Sequence, residues 1–235
     1  MANRLLVLLP PSEGKTAPLA GDPVDLGSLA FPGLSRTRER LLDVLSRLTF
    51  PRALKYLDIG PGLQEEAQRN LTLRAAPAAP ASTVYTGVLY EHLGPFAAEN
   101  VLIASALWGF VRSTDRIPAY RLSIGATLPR IPNLAALWRD PLRKAMPDEG
   151  LIVDMRSGGY VNAWKPRHAT VVGVRAFQGG KTVSHMVKAT RGDVARLLLG
   201  QSPSTPSEVA EIVRAGGHTV ELSGSGRAYN LDVIT

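Results

Sequence analysis

An α/β fold, a central sheet flanked by helices, is predicted by three observations on this sequence. Leu5–Leu9 and the runs at 101–107 and 151–155 are continuously apolar, the pattern of strands buried on both faces. Each run gives way to a polar, Gly-bearing loop that carries a cation. Three loops distant in sequence are thereby placed to build one cleft at the carboxyl ends of strands. Around the strands lie stretches of helical periodicity with recognisable end signals.

The 235 residues are enough for a large core, and no linker-like stretch divides them. One domain over 1–235 is expected, with a helical lobe at about 35–75. Cysteine is absent, which excludes disulfides, thiol catalysis and thiolate metal sites. Four scattered histidines argue against a transition-metal centre, so neither metal nor cofactor is expected. A formal charge of +7 and an isoelectric point near 10.0 point toward polyanions, without choosing among DNA, RNA, nucleotides and acidic proteins. The excess is Arg spread along the chain, so a solvated basic surface is the competing explanation. Pro10-Pro11 stops the first apolar run well short of a membrane span or signal core, and a cytoplasmic protein without membrane association is expected.

Taken in order, Leu5–Leu9 is a central strand and Pro10-Pro11-Ser12-Glu13-Gly14-Lys15-Thr16 a tight loop. Its Gly-Lys-Thr is not a phosphate loop. Leu9 stands where that loop needs its first glycine, and the prolines remove amides that would cradle phosphate. Lys15 is still a cation leaving a strand, expected to line the cleft, the alternative being a plain surface lysine. Ser35 is placed to cap a helix over 35–48 whose Leu41, Leu42, Leu45 and Leu48 share a face.

Residues 53–67 resemble a helix-hairpin-helix, whose Ile59-Gly60-Pro61-Gly62 turn would offer amides at Gly60 and Gly62 to a nucleic-acid phosphate. Asp58 stands where that motif carries its first glycine, so an ordinary helical packing element is an equal alternative. An Ala/Pro connector at 75–81 leads to 84–90, a strand end entering a short helix. Tyr85 and Tyr90 there have the makings of core aromatics. A helix over 133–146 turns Leu134, Leu137 and Trp138 inward and is bent or restarted at Pro141. After the third strand, 168–177 and 181–187 alternate about Gln178-Gly179-Gly180, which predicts a hairpin running into a helix near Lys188. Thr205-Pro206-Ser207-Glu208 is a capping box for a helix to about Ala215, and 218–222 and 227–231 are closing strands.

The stretch 107–122 packs Arg112, Asp115, Arg116 and Arg121 into ten residues at the mouth of the second strand. Guanidinium groups there are suited to grip an anion, although any one of them has the alternative of pairing with a carboxylate. Lys165, Lys188 and Arg191 are expected in the same cleft.

Five blocks in this order carry a resemblance to a known family. They are Pro11-Ser12-Glu13-Gly14-Lys15 after the first strand; Val84-Tyr85-Thr86-Gly87; Leu107-Trp108-Gly109-Phe110-Val111-Arg112 with Asp115, Ile117, Pro118, Tyr120, Arg121 and Leu122; Val153-Asp154-Met155-Arg156-Ser157 with Tyr160 and Lys165-Pro166; and Lys188 with Arg191-Gly192. The sequence is similar to the YaaA peroxide-stress protein family. The resemblance implies a twisted central sheet, a helix-hairpin-helix-like lobe and a positively charged cleft. It also implies a role in surviving hydrogen peroxide, limiting iron-dependent damage and binding DNA. Trp108, Ser113 and the run 154–157 depart from the family's pattern, which marks a diverged member.

Two functions are then in competition. In one, Lys15, Arg112, Arg121, Lys165, Lys188 and Arg191 neutralise DNA phosphates, with the Gly60 and Gly62 amides adding contacts. In the other, an enzyme acts on a small anionic or nucleotide-like substrate. Lys15 or Lys188 would be its reactive amine, and Tyr85, Tyr120 or Asp154 would transfer protons beside Ser12. A deep enclosed pocket favours the enzyme, a broad open groove the polyanion. Direct iron binding is disfavoured, since no His or carboxylate cluster is present and a cationic cleft repels the ion.

Overall fold

The structure is a computed structural model that describes residues 5–57, 60–177 and 184–234. In chain order it contains β1 (Leu5–Leu9), α1 (Ser35–Ser46), α2 (Phe50–Tyr56), α3 (Gln64–Leu71), β2 (Ala79–Pro80), α4 (Ala81–Val84) and α5 (Val88–Leu93). There follow β3 (Val101–Ser105), β4 (Gly109–Arg112), β5 (Arg116–Ile117), α6 (Leu134–Ala145), β6 (Leu151–Asp154) and α7 (Gly158–Ala163). The last elements are β7 (Thr170–Phe177), α8 (Ser184–Leu198), α9 (Pro206–Ala215), β8 (Thr219–Ser225) and β9 (Ala228–Ile234).

The main sheet has seven strands in the order β4-β3-β1-β6-β7-β9-β8. Its inner five, β3, β1, β6, β7 and β9, are parallel, and β4 and β8 close the two edges antiparallel to their neighbours. Every residue of β1 and β3 is buried, as their unbroken apolar sequences require of strands covered on both faces. This is the mixed α/β fold expected from the sequence.

The order of connection positions the site. From β1 the chain crosses to β3 on one side, and the later β6 is added on the other side. The strand order therefore reverses between β1 and β6. In open α/β sheets the loops at the carboxyl ends part at such a point and leave a crevice. The loops after β1 and β6 flank it.

At the opposite edge, β3 turns back into β4 at Gly109, where φ is 75°. A Cβ there would stand 2.9 Å from the Trp138 ring, so both the turn and the packing of α6 require glycine. Trp138 is fully buried and donates Nε1–H to the Ala106 carbonyl at 2.8 Å.

The helical end signals are mostly realised. Asn133 caps α6, its Oδ1 accepting from the Ala136 amide at 2.9 Å, and Thr205 caps α9, its Oγ1 accepting from the Glu208 amide at 3.2 Å. Three expectations change. Ser35 lies inside the first turn of α1, and its hydroxyl donates to the Leu26 carbonyl at 3.2 Å. α6 runs as one helix with Pro141 inside it, and Leu137 is only half-buried beside the buried Leu134, Trp138 and Leu142. The strand expected at 181–187 is replaced over 184–187 by the start of α8, while 178–183 lie outside the described residues. β6 and β7 pair, and β9 takes the other side of β7, so neither edge of β7 is left for a hairpin partner.

Candidate functional site

The loop leaving β1 is fastened to the segment between α4 and α5. Thr16 N–H donates to the Val84 carbonyl at 2.9 Å, and Thr86 N–H donates to Ser12 Oγ at 3.1 Å. Ser12 Oγ–H in turn donates to the Gly14 carbonyl at 2.6 Å. Lys15 folds back over this loop, its Nζ donating to the carbonyls of Ser12 at 2.8 Å and Glu13 at 3.3 Å. The same nitrogen sits 4.3 Å from the ring centroid of Tyr120 and 5.3 Å from that of Tyr85. Burial, reinforced by the Arg121 cation, pushes the Lys15 ammonium down to about 7, against the opposing pull of Glu66 and Glu13. Lys15 therefore exists in substantial part as the free amine at neutral pH.

Beneath it the phenols of Tyr85 and Tyr120 share a 2.9 Å hydrogen bond, and Tyr120 shares another of 2.7 Å with Ser105. Burial raises both phenols, so they stay protonated around neutrality. Arg121 reaches the same place from the segment after β5. α3 fixes its backbone through Asn70, whose Nδ2 donates to the Arg121 carbonyl at 2.5 Å and whose Oδ1 accepts from the Arg121 amide at 2.9 Å. The Arg121 guanidinium is answered by Glu13 at 3.1 Å and Glu66 at 3.2 Å.

α8 supplies the facing wall. It packs tightly on α5 because residue 192 has no side chain: a Cβ on Gly192 would stand 2.3 Å from the Leu89 carbonyl oxygen. This close approach brings Lys188 and Arg191 into the crevice. The Nε of Arg191 is buried without a hydrogen-bond partner among the described residues. Burial lowers its guanidinium from the ordinary value, opposed by the charge of Asp154. The cavity enclosed by these elements measures about 470 Å³, within the usual range for small-molecule sites.

Of the residues singled out from the sequence, Ser12, Lys15, Arg121, Lys188 and Arg191 line this one cavity. The others do not. Arg112 pairs with Glu99 at 3.4 Å on the surface, because β4 runs antiparallel and carries its end away from the carboxyl ends of the central strands. Lys165 lies in a neighbouring groove with Arg139, Arg143 and Arg167, beyond Ile124 and Gly159. Tyr85 and Tyr120 form a buried floor under Lys15. The Asp154 carboxylate is occupied by the buried Arg156, at 2.9 and 2.7 Å. Gly60 and Gly62 are exposed ahead of α3, whose first turn carries Glu65 and Glu66; Asp58 and Ile59 lie outside the described residues.

The dense 107–122 stretch is mostly architecture. Asp115 accepts from the amides of Ala30 at 3.1 Å and Arg112 at 3.0 Å, while Arg116 donates to the Ala78 carbonyl at 2.6 Å. Ser157 and Tyr160 also line the cavity. Sequence reasoning gave them no role, although their position just after the third strand was a usable signal. Among the described residues no group of three or more His, Asp or Glu is placed to hold a metal ion, and no helix is long and apolar enough to cross a membrane.

Fold and cavity together describe an open-sheet α/β protein with a cation-bearing crevice at the reversal of its strand order. The chain belongs to the family described as peroxide stress protein YaaA, whose model matches residues 5–222. A UPF0246 protein of Streptomyces coelicolor is 42% identical, the match covering 98% of both chains. Another, of Corynebacterium efficiens, is 42% identical over 98% of this chain and 100% of its own. An uncharacterized protein of Campylobacter jejuni is 30% identical over 79% of this chain and 81% of its own.

Proposed function

We propose that the protein serves the peroxide-stress role of its family through the Lys15 cavity, which receives a small anionic, nucleotide-like molecule and acts on it. The observation that carries this reading is Arg191, whose buried Nε has no partner among the described residues and whose side chain lines the same 470 Å³ space as Lys15 and Lys188. A buried donor left unpaired is costly, and a phosphate or carboxylate would remove that cost. Calorimetric titration with inorganic phosphate and a nucleoside monophosphate tests it. Saturable one-to-one binding that weakens in Arg191→Gln is expected, and no heat with either probe would refute it.

A second reading keeps DNA as the partner and the limiting of iron-dependent damage in the cytoplasm as the purpose. What supports it is the adjacent groove of about 660 Å³ lined by Arg139, Arg143, Lys165 and Arg167. Of these side chains only Arg143 has a carboxylate partner among the described residues, Asp140 at 3.0 Å. The turn at Gly60 and Gly62 favours this reading less, since Glu65 and Glu66 stand where a phosphate would approach. Fluorescence titration of a labelled duplex at several salt concentrations tests it. Each cation that contacts a phosphate adds roughly 0.9 to the logarithmic salt slope, so Lys165→Gln should flatten the slope by about that amount. A slope unmoved by Lys165→Gln and Arg167→Gln would rule out the groove.

A further inference from the structure

We infer that Lys15 is a nucleophilic amine that forms an imine with a phosphate-bearing aldehyde or ketone, whose phosphate is held by Arg191 and Lys188. This rests on the cavity being a receptor for a small anion and adds what is done there. A lysine that only attracts phosphate is best exposed and charged. Lys15 is instead drawn back from solvent onto two carbonyls, with the Arg121 cation beside it. A neutral amine satisfies both carbonyls with its two N–H groups and keeps a lone pair for an electrophile. Arg121, the other cation on this wall, is occupied by Glu13 and Glu66, so it repels an ammonium at Lys15 without competing for the ligand.

The charge across the cavity selects the substrate class. On the α8 wall, Lys188 and Arg191 have no hydrogen bond or ion pair with a described residue, which leaves two positive charges facing an amine only partly protonated at neutral pH. A phosphate monoester dianion complements two such cations. Its carbonyl end is then directed toward Lys15 on the opposite loop, with the hydroxyls of Ser12, Ser157 and Tyr160 around the space between. The Lys15 lone pair adds to the carbonyl carbon and a proton passes from nitrogen to the resulting alkoxide. Water then departs as the C=N bond forms. One water is lost and nothing is oxidised or reduced.

The test uses the full chain and pyridoxal 5′-phosphate as the probe, followed by borohydride and peptide mapping, alongside calorimetry with inorganic phosphate. At pH 7 an amine that titrates near 7 exists as free base on the order of a thousandfold more often than an ordinary lysine. Lys15 is expected to label on the order of a hundredfold faster than the exposed lysines, after allowance for its lower basicity. Pyridoxal without the phosphate should label it at least tenfold more slowly, inorganic phosphate should compete, and Arg191→Gln should slow the labelling. The map on the unaltered chain decides the matter even if Lys15→Ala fails to fold. If phosphate binds but label spreads over the exposed lysines, the imine is refuted and the receptor stands. If phosphate does not bind at all, both fall. Equal rates with pyridoxal and its phosphate would overturn the assignment of substrate class.

Discussion

The turn after β3 and the wall formed by α8 both present buried or half-buried arginine, yet they have opposite meanings. Around the turn the Arg38 side chain is held from within through two of its three nitrogens, Nη1 having no partner among the described residues. Arg38, fully buried, gives its Nε to the Trp108 carbonyl at 3.0 Å and its Nη2 to those of Ala30 and Phe110 at 2.7 and 3.0 Å. Burial lowers that guanidinium to about 10, and Asp115 alone pulls the other way. On α8, Arg191 is similarly desolvated but lacks those bonds. A cation bound to three carbonyls inside the core holds the chain together, whereas one with no such bond beside a cavity is a receptor.

Substitutions sharpen the contrast. Arg38→Met leaves three buried carbonyls without their donor and should cost about 3–5 kcal/mol in chemical denaturation. A loss under about 1 kcal/mol would show the turn to be less dependent on it than the contacts imply. Gly192→Val drives a side chain into the Leu89 carbonyl and should cost about 2–3 kcal/mol while also weakening phosphate binding, because α8 must move off α5. Arg191→Gln removes an unpaired buried donor and should not lower stability in chemical denaturation, yet it should lower affinity for phosphate by about 10- to 100-fold, the worth of a charge-assisted contact.

The last effect is a pH dependence. The Lys15 ammonium is depressed in the folded chain to about 7 from 10.5, so the unfolded chain binds more protons between those values. The stability contributed at this position therefore rises with pH across that window and is lowest, and level, below it. The stability of Lys15→Met relative to the unaltered chain should accordingly be greatest at pH 6–7 and fall steadily as pH rises to 10. A difference that does not change with pH would mean that Lys15 titrates normally.

Much of the frame was legible because the signals are local. Continuous apolar runs mark central strands, and Asn133 and Thr205 cap the helices that follow them. Lys15, Lys188 and Arg191 were readable as cations at strand or helix ends. What the sequence hid was the pairing. Glu99 answers Arg112, and Glu66 answers Arg121, across separations that only the fold closes. The density of arginine in 107–122 therefore overstated the free charge there. Lys165 was misplaced because the short α7 carries the chain past the crevice into the next groove. The alternation at 181–187 could not reveal that both sides of β7 were already occupied.

The central claim is that the anion receptor is the Lys15–Arg191 cavity and not the arginine-rich turn. Side-by-side calorimetric titration of inorganic phosphate into the unaltered chain, Arg112→Gln and Arg191→Gln at pH 7 tests it most directly. The account predicts equal affinity for the first two and at least tenfold weaker binding for the third. Loss of binding in Arg112→Gln with Arg191→Gln unaffected would contradict it.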